Sequence, residues 1–214
     1  MSLITTKHLN VLIMEPSAYA MNSMRILLQE NHNLMCKGFV SSFKGLETFL
    51  SKNTSIDVIF CEMYDHSNNI FEGIFKLRQL VKNNSHIKFY LHTSVMYEKL
   101  QKQCYITDVY LKKISINECR FALKNIAETD SRLVKFPDLI TVNDELSESE
   151  LKVLISFSHY HDVARVYINT GLSYKYVSNL KSKIMRKLGI KSNTEFKFML
   201  AEVERSSYNL INIV

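Results

Sequence analysis

The sequence predicts an α/β domain followed by an all-α domain, and two observations lead to this expectation. Up to about residue 127, short apolar runs that suit buried strands alternate five times with segments whose apolar residues recur at helical spacing. From residue 146 onward the strand-like runs stop, and four short helical segments follow one another with capping signals at their starts. A (βα)5 order implies a parallel sheet covered by helices on both faces, so we expect functional side chains at the carboxyl ends of its strands.

The apolar pattern places the elements of the first domain, residues 1–127. The expected strands cover residues 9–14, 34–40, 56–61, 87–91 and 109–111, and the third, the most continuous apolar run, is the expected central strand. The expected helices cover residues 18–30, 43–50, a segment that carries Ile74, Leu77 and Val81, residues 95–103 and residues 115–127. Residues 128–145, which contain Pro137 and little apolar periodicity, are the expected linker. The second domain covers residues 146–214, and its apolar tail, 208–214, is expected to dock on the chain itself rather than on a partner.

Capping signals mark the starts of three helices. Ser115 with Glu118, Ser147 with Glu150, and Ser192 with Glu195 each fit a capping box, in which a hydroxyl and a carboxylate satisfy backbone N–H groups at a helix start. Gly171 lies where a helix would end in a left-handed residue, and Leu172-Ser173 then begins a helix that runs from residue 174 to about residue 188.

The bulk composition describes a soluble, globular chain with an excess of positive charge. Of the 214 residues, 46% are hydrophobic and 22% are charged, and the formal net charge is +6 with a pI of about 9.0. The excess gathers between residues 173 and 197, where Glu195 is the single acid among the basic residues Lys175, Lys181, Lys183, Arg186, Lys187, Lys191 and Lys197. This clustering indicates an anionic partner more strongly than the whole-chain charge does.

Several classes of function are disfavoured. The cysteines, Cys36, Cys61, Cys104 and Cys119, have no C-x-x-C spacing and are expected to be small buried apolar residues in a reducing compartment. No apolar run approaches the roughly 20 residues that span a bilayer, so the expected location is cytoplasmic, without a membrane partner. His159 and His161 are two residues apart and are expected in a turn or on the surface, not in a metal site. Since nucleotide-binding and catalytic motifs are missing, we expect no enzyme, no cofactor and no metal.

The segment from Leu146 to Phe196 resembles the LuxR/FixJ-type DNA-binding domain, a four-helix domain with a helix-turn-helix. Leu146-Ser147, Glu150-Leu151 and Val153-Leu154 match that family's opening L-T-x-x-E-L-x-V-L, and Gly171-Leu172-Ser173 matches its turn. Further matches, without a gap, are Val177 and Asn179, the stretch from Ile184 to Gly189 (I-x-R-K-L-G), and Asn193-Thr194-Glu195 (N-R-T-E). The basic helix could also be only a solvated face. Such a face usually interleaves Glu with Lys, which this helix does not, so DNA contact is favoured.

The resemblance implies a division of labour along the basic helix. Base-reading positions of the family fall on Ser178, Asn179 and Ser182, and Asn can read adenine with two hydrogen bonds. The expected phosphate-binding residues are Lys175, Tyr176, Lys181, Lys183, Arg186 and Lys187. This sequence departs from the family at Tyr176, Ser178 and Leu180, where Thr, Lys and His are more frequent, and this departure favours dependence on a partner protein.

Residues 9 to about 127 resemble the receiver domain of response regulators, which has a flavodoxin-like fold. In that family, two acids after the first strand and an Asp after the third bind Mg²⁺ and accept a phosphoryl group, which a Thr or Ser and a Lys then contact. Here Glu15 is followed by Pro16, and Glu62 replaces the Asp, while Thr93 and Lys112 match. The resemblance therefore implies a degenerate phosphoacceptor pocket of Glu15, Glu62, Thr93 and Lys112.

Two interpretations of Glu62 remain open from the sequence. Its longer side chain would reach both Thr93 and Lys112 and imitate a phosphoryl oxygen, or it would simply form an ion pair with Lys112. Asp65, three residues further on, is a weaker candidate for the phosphoacceptor because it falls in the following loop.

Together these resemblances imply a sequence-specific DNA-binding transcriptional regulator that acts without phosphorylation and as a dimer on double-stranded DNA. The alternative is an auxiliary co-regulator that heterodimerises with another response regulator through its receiver-like half. RNA polymerase is a further candidate partner. A phosphotransfer enzyme is disfavoured by Glu15-Pro16 and by Glu62.

Overall fold

A computed structural model describes residues 8–52, 55–95, 97–128 and 144–208 of the chain. The expected linker lies almost wholly outside these residues, and so does the apolar tail beyond residue 208. Both expectations stay untested.

The first half is a parallel five-stranded sheet with helices on both faces. Its elements are β1 (Leu9–Met14), α1 (Ala18–Gln29), β2 (Leu34–Val40), α2 (Phe43–Lys52), β3 (Val58–Cys61), α3 (Ile70–Asn83), β4 (Lys88–Thr93), α4 (Glu98–Lys102), β5 (Asp108–Leu111) and α5 (Ile116–Glu128). The strand order is β2-β1-β3-β4-β5, and every pairing is parallel. The expected (βα)5 fold with a central third strand is confirmed.

Helix α4 is shorter than the sequence predicts. The apolar pattern predicts a helix from residue 95, but Val95 is buried and its N–H bonds to the Thr93 hydroxyl at 3.1 Å. The Gln101 side chain donates a hydrogen bond to the Val95 carbonyl. Because these contacts hold Val95 outside the helix, α4 begins only at Glu98.

Alternate residues of the central strands pack into two separate hydrophobic clusters. Val11 and Ile13 face a cluster with α1 and α5, whereas Leu12 and Met14 face α2, α3 and α4. Since each fully buried Leu or Ile side chain contributes about 1.5–3 kcal/mol, this strict alternation fixes the register of β1. It also fixes which residues emerge at the carboxyl ends of the strands.

The second half contains four helices, α6 (Glu148–Tyr160), α7 (Val163–Thr170), α8 (Tyr174–Leu188) and α9 (Asn193–Tyr208). The capping box of Ser147 and Glu150 is confirmed in both directions. At α9, Ser192 accepts from the Glu195 N–H as expected, but the Glu195 carboxylate accepts from the Lys191 N–H at 2.8 Å instead of that of Ser192. Among the described helices, none is both long enough and apolar enough to cross a membrane.

The two halves share a continuous apolar core and a polar clamp. Helix α3 packs against α6, and Leu146, at the start of the second half, is completely buried. The Arg78 guanidinium donates to the Leu146 carbonyl at 2.6 Å and to both oxygens of Gln103, at 2.6 and 2.5 Å. The Gln103 side chain in turn accepts from the Leu146 N–H at 2.9 Å. The Tyr97 hydroxyl adds a hydrogen bond to Glu202 on α9 at 2.6 Å.

Candidate nucleic-acid interface and degenerate phosphoacceptor pocket

Helices α7 and α8 form the expected turn. Gly171 has a φ of +68° and ends α7 in the left-handed conformation, which favours glycine. Ser173 then caps α8 by accepting a hydrogen bond from the Tyr176 N–H at 3.3 Å. The short helix, glycine turn and second helix match the order of a helix-turn-helix unit.

Helix α8 divides sharply into a buried and an exposed side. Val177, Leu180, Ile184 and Leu188 are buried at helical spacing. The exposed side carries most of the residues expected to contact DNA: Lys175, Tyr176, Asn179, Ser182, Lys183 and Arg186, with Ser178 half-buried beside them. Leu180, one of the departures from the family pattern, is thus a core residue here.

Two lysines expected to bind phosphate have other contacts within the protein. Lys187 is only 15% exposed and forms an ion pair with Glu150 at 2.6 Å, while it also donates to the Glu145 carbonyl at 2.6 Å. The capping glutamate of α6 therefore holds this lysine inward. Lys187 is better described as a residue that joins α8 to α6 than as a phosphate ligand.

Lys181 is the second lysine with an internal contact. It donates to the Asn193 side chain at 2.8 Å, and its ammonium lies 5.2 Å from the Phe196 ring centre and 5.8 Å from that of Phe157. Burial lowers the pKa of Lys181, and the charge of Lys197 lowers it further. The cation–π contacts fix this side chain against the hydrophobic core.

No acid interrupts the sequence between Val163 and Thr194, which covers α7, the turn and α8. With Lys187 and Lys181 turned inward, the exposed positive charges of α8 are Lys175, Lys183 and Arg186. A surface with one sign of charge attracts an anionic polymer over a distance set by the ionic strength, about 10 Å at 0.1 M salt.

The four residues of the expected phosphoacceptor pocket come together at the carboxyl ends of the strands. The Lys112 ammonium lies 2.7 Å from a Glu15 oxygen and 2.8 Å from a Glu62 oxygen. The Thr93 hydroxyl and the Met63 N–H, the latter at 2.7 Å, both donate to the second Glu62 oxygen. Glu62 thus contacts the threonine and the lysine at the same time.

Burial and the lysine charge act in opposite directions on the two carboxylates. Burial raises the pKa of Glu62, although the charge of Lys112 and the hydrogen bonds to it reduce the effect. For Glu15, burial is outweighed by the nearby His92 side chain and by the charge of Lys112, so its pKa is lowered. Burial alone would lower the pKa of Lys112, but the charges of Glu62 and Glu15 raise it to about 12. Lys112 therefore stays charged while Glu62 is the easier of the two acids to protonate.

His92 belongs to this pocket, although the sequence analysis did not single it out. Its Nδ1 lies 3.7 Å from Glu15, on the strand that also carries Thr93. The only sequence signal for it is its place next to Thr93, at the end of β4.

The residues present do not fit a magnesium ion. Both carboxylates already form ion pairs with the Lys112 ammonium, and Pro16 supplies no side-chain oxygen in place of the second acid. Mg²⁺ needs near-octahedral oxygen coordination at about 2.0–2.1 Å. The lysine occupies the position between the two acids that a cation would need.

Asp65, the weaker phosphoacceptor candidate, lies in the loop after β3. Its carboxylate is almost fully buried and accepts hydrogen bonds of 2.8 Å from Phe43 N–H, Ser67 N–H and the Asn68 amide. These bonds give Asp65 a structural role in fixing the loop.

Among the described residues, His159 and His161 of the second half belong to no group of three or more side chains that could hold a metal ion. His159 contacts Glu72 of α3 at 3.2 Å, across the boundary between the two halves. His161 ends α6 in the left-handed conformation with a φ of +57°, which agrees with the expected turn role.

Comparison with solved structures confirms the combined fold. A complex of the two-component response regulator RcsB with DNA superposes with a TM-score of 0.64 and 18% identity over 91% of this chain and 99% of that one. RcsB from Salmonella enterica serovar Typhimurium, bound to promoter rprA in the presence of the phosphomimetic BeF3-, superposes with a TM-score of 0.62 and 18% identity over 91% of this chain and 99% of that one. The isolated receiver domain of that protein superposes with a TM-score of 0.52 and 14% identity over 58% of this chain and 91% of that one. No protein-family model matches the sequence, and no curated protein matches it either.

These neighbours are response regulators of the LuxR/FixJ type, with a receiver domain followed by a DNA-binding domain. The expected resemblance is thereby confirmed at the level of the fold. At 14–18% identity, the likeness establishes architecture, and function has to be argued from the residues of this chain.

Proposed function

We propose that this protein is a sequence-specific DNA-binding transcriptional regulator that inserts α8 into the major groove of double-stranded DNA. The observation that carries the proposal is the exposed side of α8, which bears Lys175, Lys183 and Arg186 and lies in a segment without acids. Within the part of the chain that the structure describes, the side chains of these three residues form no ion pair, and the buried side of the helix packs the domain.

The side chains on the exposed face suit two different tasks. Asn179 offers an amide that can bond to adenine in two places, and Ser182 and Ser178 are permissive neighbours. Lys183, Arg186 and Lys175 supply charge for phosphates, which sets affinity and register without reading sequence. Ser182 donates its hydroxyl to the Ser178 carbonyl at 3.2 Å, so it has only acceptor capacity left for a base.

A dimer is the assembly that we propose on DNA. One neighbour structure contains two RcsB dimers bound to two parallel DNAs. Two copies of α8 in successive major grooves would read half-sites about 34–36 Å apart.

Control by phosphorylation is not part of the proposed mechanism. Glu62 contacts both Thr93 and Lys112, the pair that contacts the phosphoryl group in the receiver family. A residue that had merely drifted would need only the ion pair with Lys112. The double contact favours the interpretation in which a permanent carboxylate takes the place of the phosphoryl group.

Two substitutions on α8 test the DNA-binding proposal. Lys183→Ala should weaken binding to all sequences and flatten the dependence of log affinity on log salt by about 1, because one phosphate contact is lost. Asn179→Ala should instead reduce the preference for one sequence over others by about 1–3 kcal/mol. Affinity measured against salt and against variant operators distinguishes the two effects.

Lys52→Ala, at the exposed end of α2, is the matched control and should change neither quantity. Equal affinities for all three variants and the wild type would contradict the proposal.

A second candidate is an auxiliary co-regulator that binds DNA together with another response regulator. The observation that favours it is the inward position of Lys181 and Lys187, which reduces the charge available for DNA. In this case the purified protein would give no specific footprint alone and would gain one when the second regulator is added. A footprint by this chain alone would exclude that dependence.

A further inference from the structure

Two tyrosines at the junction of α7 and α8 are large, partly exposed side chains. Tyr167 is 43% exposed and Tyr174 is 56% exposed. Their rings contact each other edge to face, with centres 6.4 Å apart and an angle of 73° between the ring planes. Among the described residues, no hydrogen bond involves either phenol hydroxyl. A hydroxyl group is therefore available for a partner at this corner.

The tyrosine pair lies at the end of α8 that leads into the groove in a helix-turn-helix complex. Ser173, Tyr174, Lys175 and Tyr176 are all exposed, so the first turn of α8 projects from the domain on every side. Recognition helices present their N-terminal residues to DNA. The Tyr174 side chain belongs to this projecting turn, and the Tyr167 ring restricts its rotation from the α7 side.

The charge of the segment around the tyrosine pair indicates what kind of partner could bind there. Between Val163 and Thr194 there is no acid, and the basic residues are Arg165, Lys175, Lys181, Lys183, Arg186, Lys187 and Lys191. A protein surface that docks on an aromatic pair inside such a segment would have to be strongly acidic. A sugar–phosphate backbone combines negative charge with acceptors for a phenol hydroxyl and apolar sugar carbons for a ring.

We propose that Tyr174 donates its hydroxyl to a backbone phosphate of double-stranded DNA and that Tyr167 positions the Tyr174 ring for this contact. The inference rests on the proposed function and adds a neutral contact to the charged contacts of α8. It predicts an unusual signature, because counterion release depends on charge and a neutral hydrogen bond releases none.

The test compares the affinity for a defined duplex at several salt concentrations. Tyr174→Phe removes only the hydroxyl and should weaken binding roughly two- to tenfold at every salt concentration, with an unchanged salt slope. Lys175→Ala, one position away, should instead reduce the slope by about 1. Tyr167→Phe should bind like the wild type, since only its ring acts, whereas Tyr167→Ala should resemble Tyr174→Phe. Tyr19→Phe, at a 75% exposed tyrosine of α1, is the matched control and should have no effect.

Each alternative result has a distinct meaning. If the wild type binds the duplex with a clear salt slope and both Tyr174→Phe and Tyr174→Ala bind equally well, the phosphate contact is wrong and the DNA-binding proposal stands. With the DNA contact excluded, a protein would become the candidate partner of the tyrosine pair. If the wild type itself binds no duplex at low salt, the proposed function fails, and this inference fails with it.

Discussion

Lys112 is the residue on which the strand-end pocket depends. Its ammonium stands between Glu15 and Glu62, both at most 1% exposed, so two buried acids share a single cation. Burial raises the pKa of Glu62, so the charge of this carboxylate is the costlier of the two to keep in the pocket. Buried ion pairs add little net stability when intact, but the loss of one partner leaves an uncompensated charge.

Lys112→Met should therefore lower the free energy of unfolding by about 3–5 kcal/mol at neutral pH. Chemical denaturation with urea measures this change. Lys113→Met alters the adjacent, exposed lysine and should change the free energy by less than about 0.5 kcal/mol. Equal stabilities of the two variants would mean that the Lys112 charge is not needed in the pocket.

Glu62→Gln should change the free energy of unfolding by an amount that depends on pH. Because the folded-state pKa of Glu62 is raised, its contribution to stability is complete below the unfolded pKa of about 4.3 and is lost as pH rises through the folded pKa. Glutamine has no such loss. The stability of Glu62→Gln relative to the wild type should thus increase from pH 4 towards pH 7 in urea unfolding, and a constant difference would show that burial does not penalise the Glu62 charge.

At this scale the sequence predicted the composition of the pocket but not its electrostatics. Glu15, Glu62, Thr93 and Lys112 could be named because the resemblance to the receiver domain assigns roles to residues at the ends of recognisable apolar strands. His92 and the inward position of Lys187 could not be found from the sequence. Which lysine of a basic helix turns towards a distant glutamate depends on how α8 lies against α6, and a charge pattern does not contain that information.

Helix α3 is the element that holds the loop after β3, and with it Glu62, in place. Gly73 lies so close to this loop that a β-carbon would come within 1.6 Å of the Met63 carbonyl oxygen. A backbone atom cannot move aside as the end of a side chain can. The close approach of α3 to the residue after Glu62 thus requires glycine inside a helix, although glycine is otherwise unfavourable there.

Gly73→Ala should lower the free energy of unfolding by about 1–3 kcal/mol or more, because the methyl group forces α3 away from the loop. Gly45→Ala is the matched control in α2, where the nearest atoms lie at 3.3 Å and belong to the side chains of Ser42 and Val40. There, the gain in helix propensity of up to about 1 kcal/mol opposes the tighter contact. Thermal unfolding followed by circular dichroism compares the two, and a stable Gly73→Ala variant would contradict the close packing of α3.

Elements with strong periodicity and a clear cap were predicted well. The bounds of β1 and β2 agree with the apolar runs, and the cap of α6 agrees with Ser147 and Glu150. Helix α4 was predicted too long because Val95 looks like a helical apolar residue in sequence, yet its N–H is used by Thr93. A local hydrogen bond to the last residue of β4 keeps Val95 out of the helix.

For the whole molecule, the clamp of Arg78 and Gln103 joins the two halves at Leu146. The contact spans segments that are 43 and 68 residues apart in the chain. The planar guanidinium of Arg78 donates hydrogen bonds to three oxygens at once. Its central carbon lies 4.6 Å from the centre of the Tyr105 ring. No local pattern in the sequence predicts this interface. The sequence predicted an α/β half and an all-α half but not the way they pack together.

Arg78→Lys should weaken the contact between the halves, because a lysine cannot reproduce the fork. We expect the wild type to unfold in one transition, and Arg78→Lys to lose about 1.5–3 kcal/mol and to unfold in two transitions, as measured by calorimetry. Arg120→Lys is the matched control. Arg120 also uses a fork, towards Glu30, but the pair is exposed and lies within the first half, so its loss should leave the unfolding curve almost unchanged. Identical unfolding curves for both variants would contradict the clamp.

The central claim is that α8 binds DNA specifically without a phosphoryl switch, and one footprinting experiment tests it most directly. The purified chain is titrated onto a genomic DNA library and onto a selected site, with and without acetyl phosphate and Mg²⁺. The account predicts a protected sequence in both conditions, the same affinity in both, and no covalent adduct by mass spectrometry. Absence of any protected sequence, or protection that appears only after acetyl phosphate treatment, would contradict it.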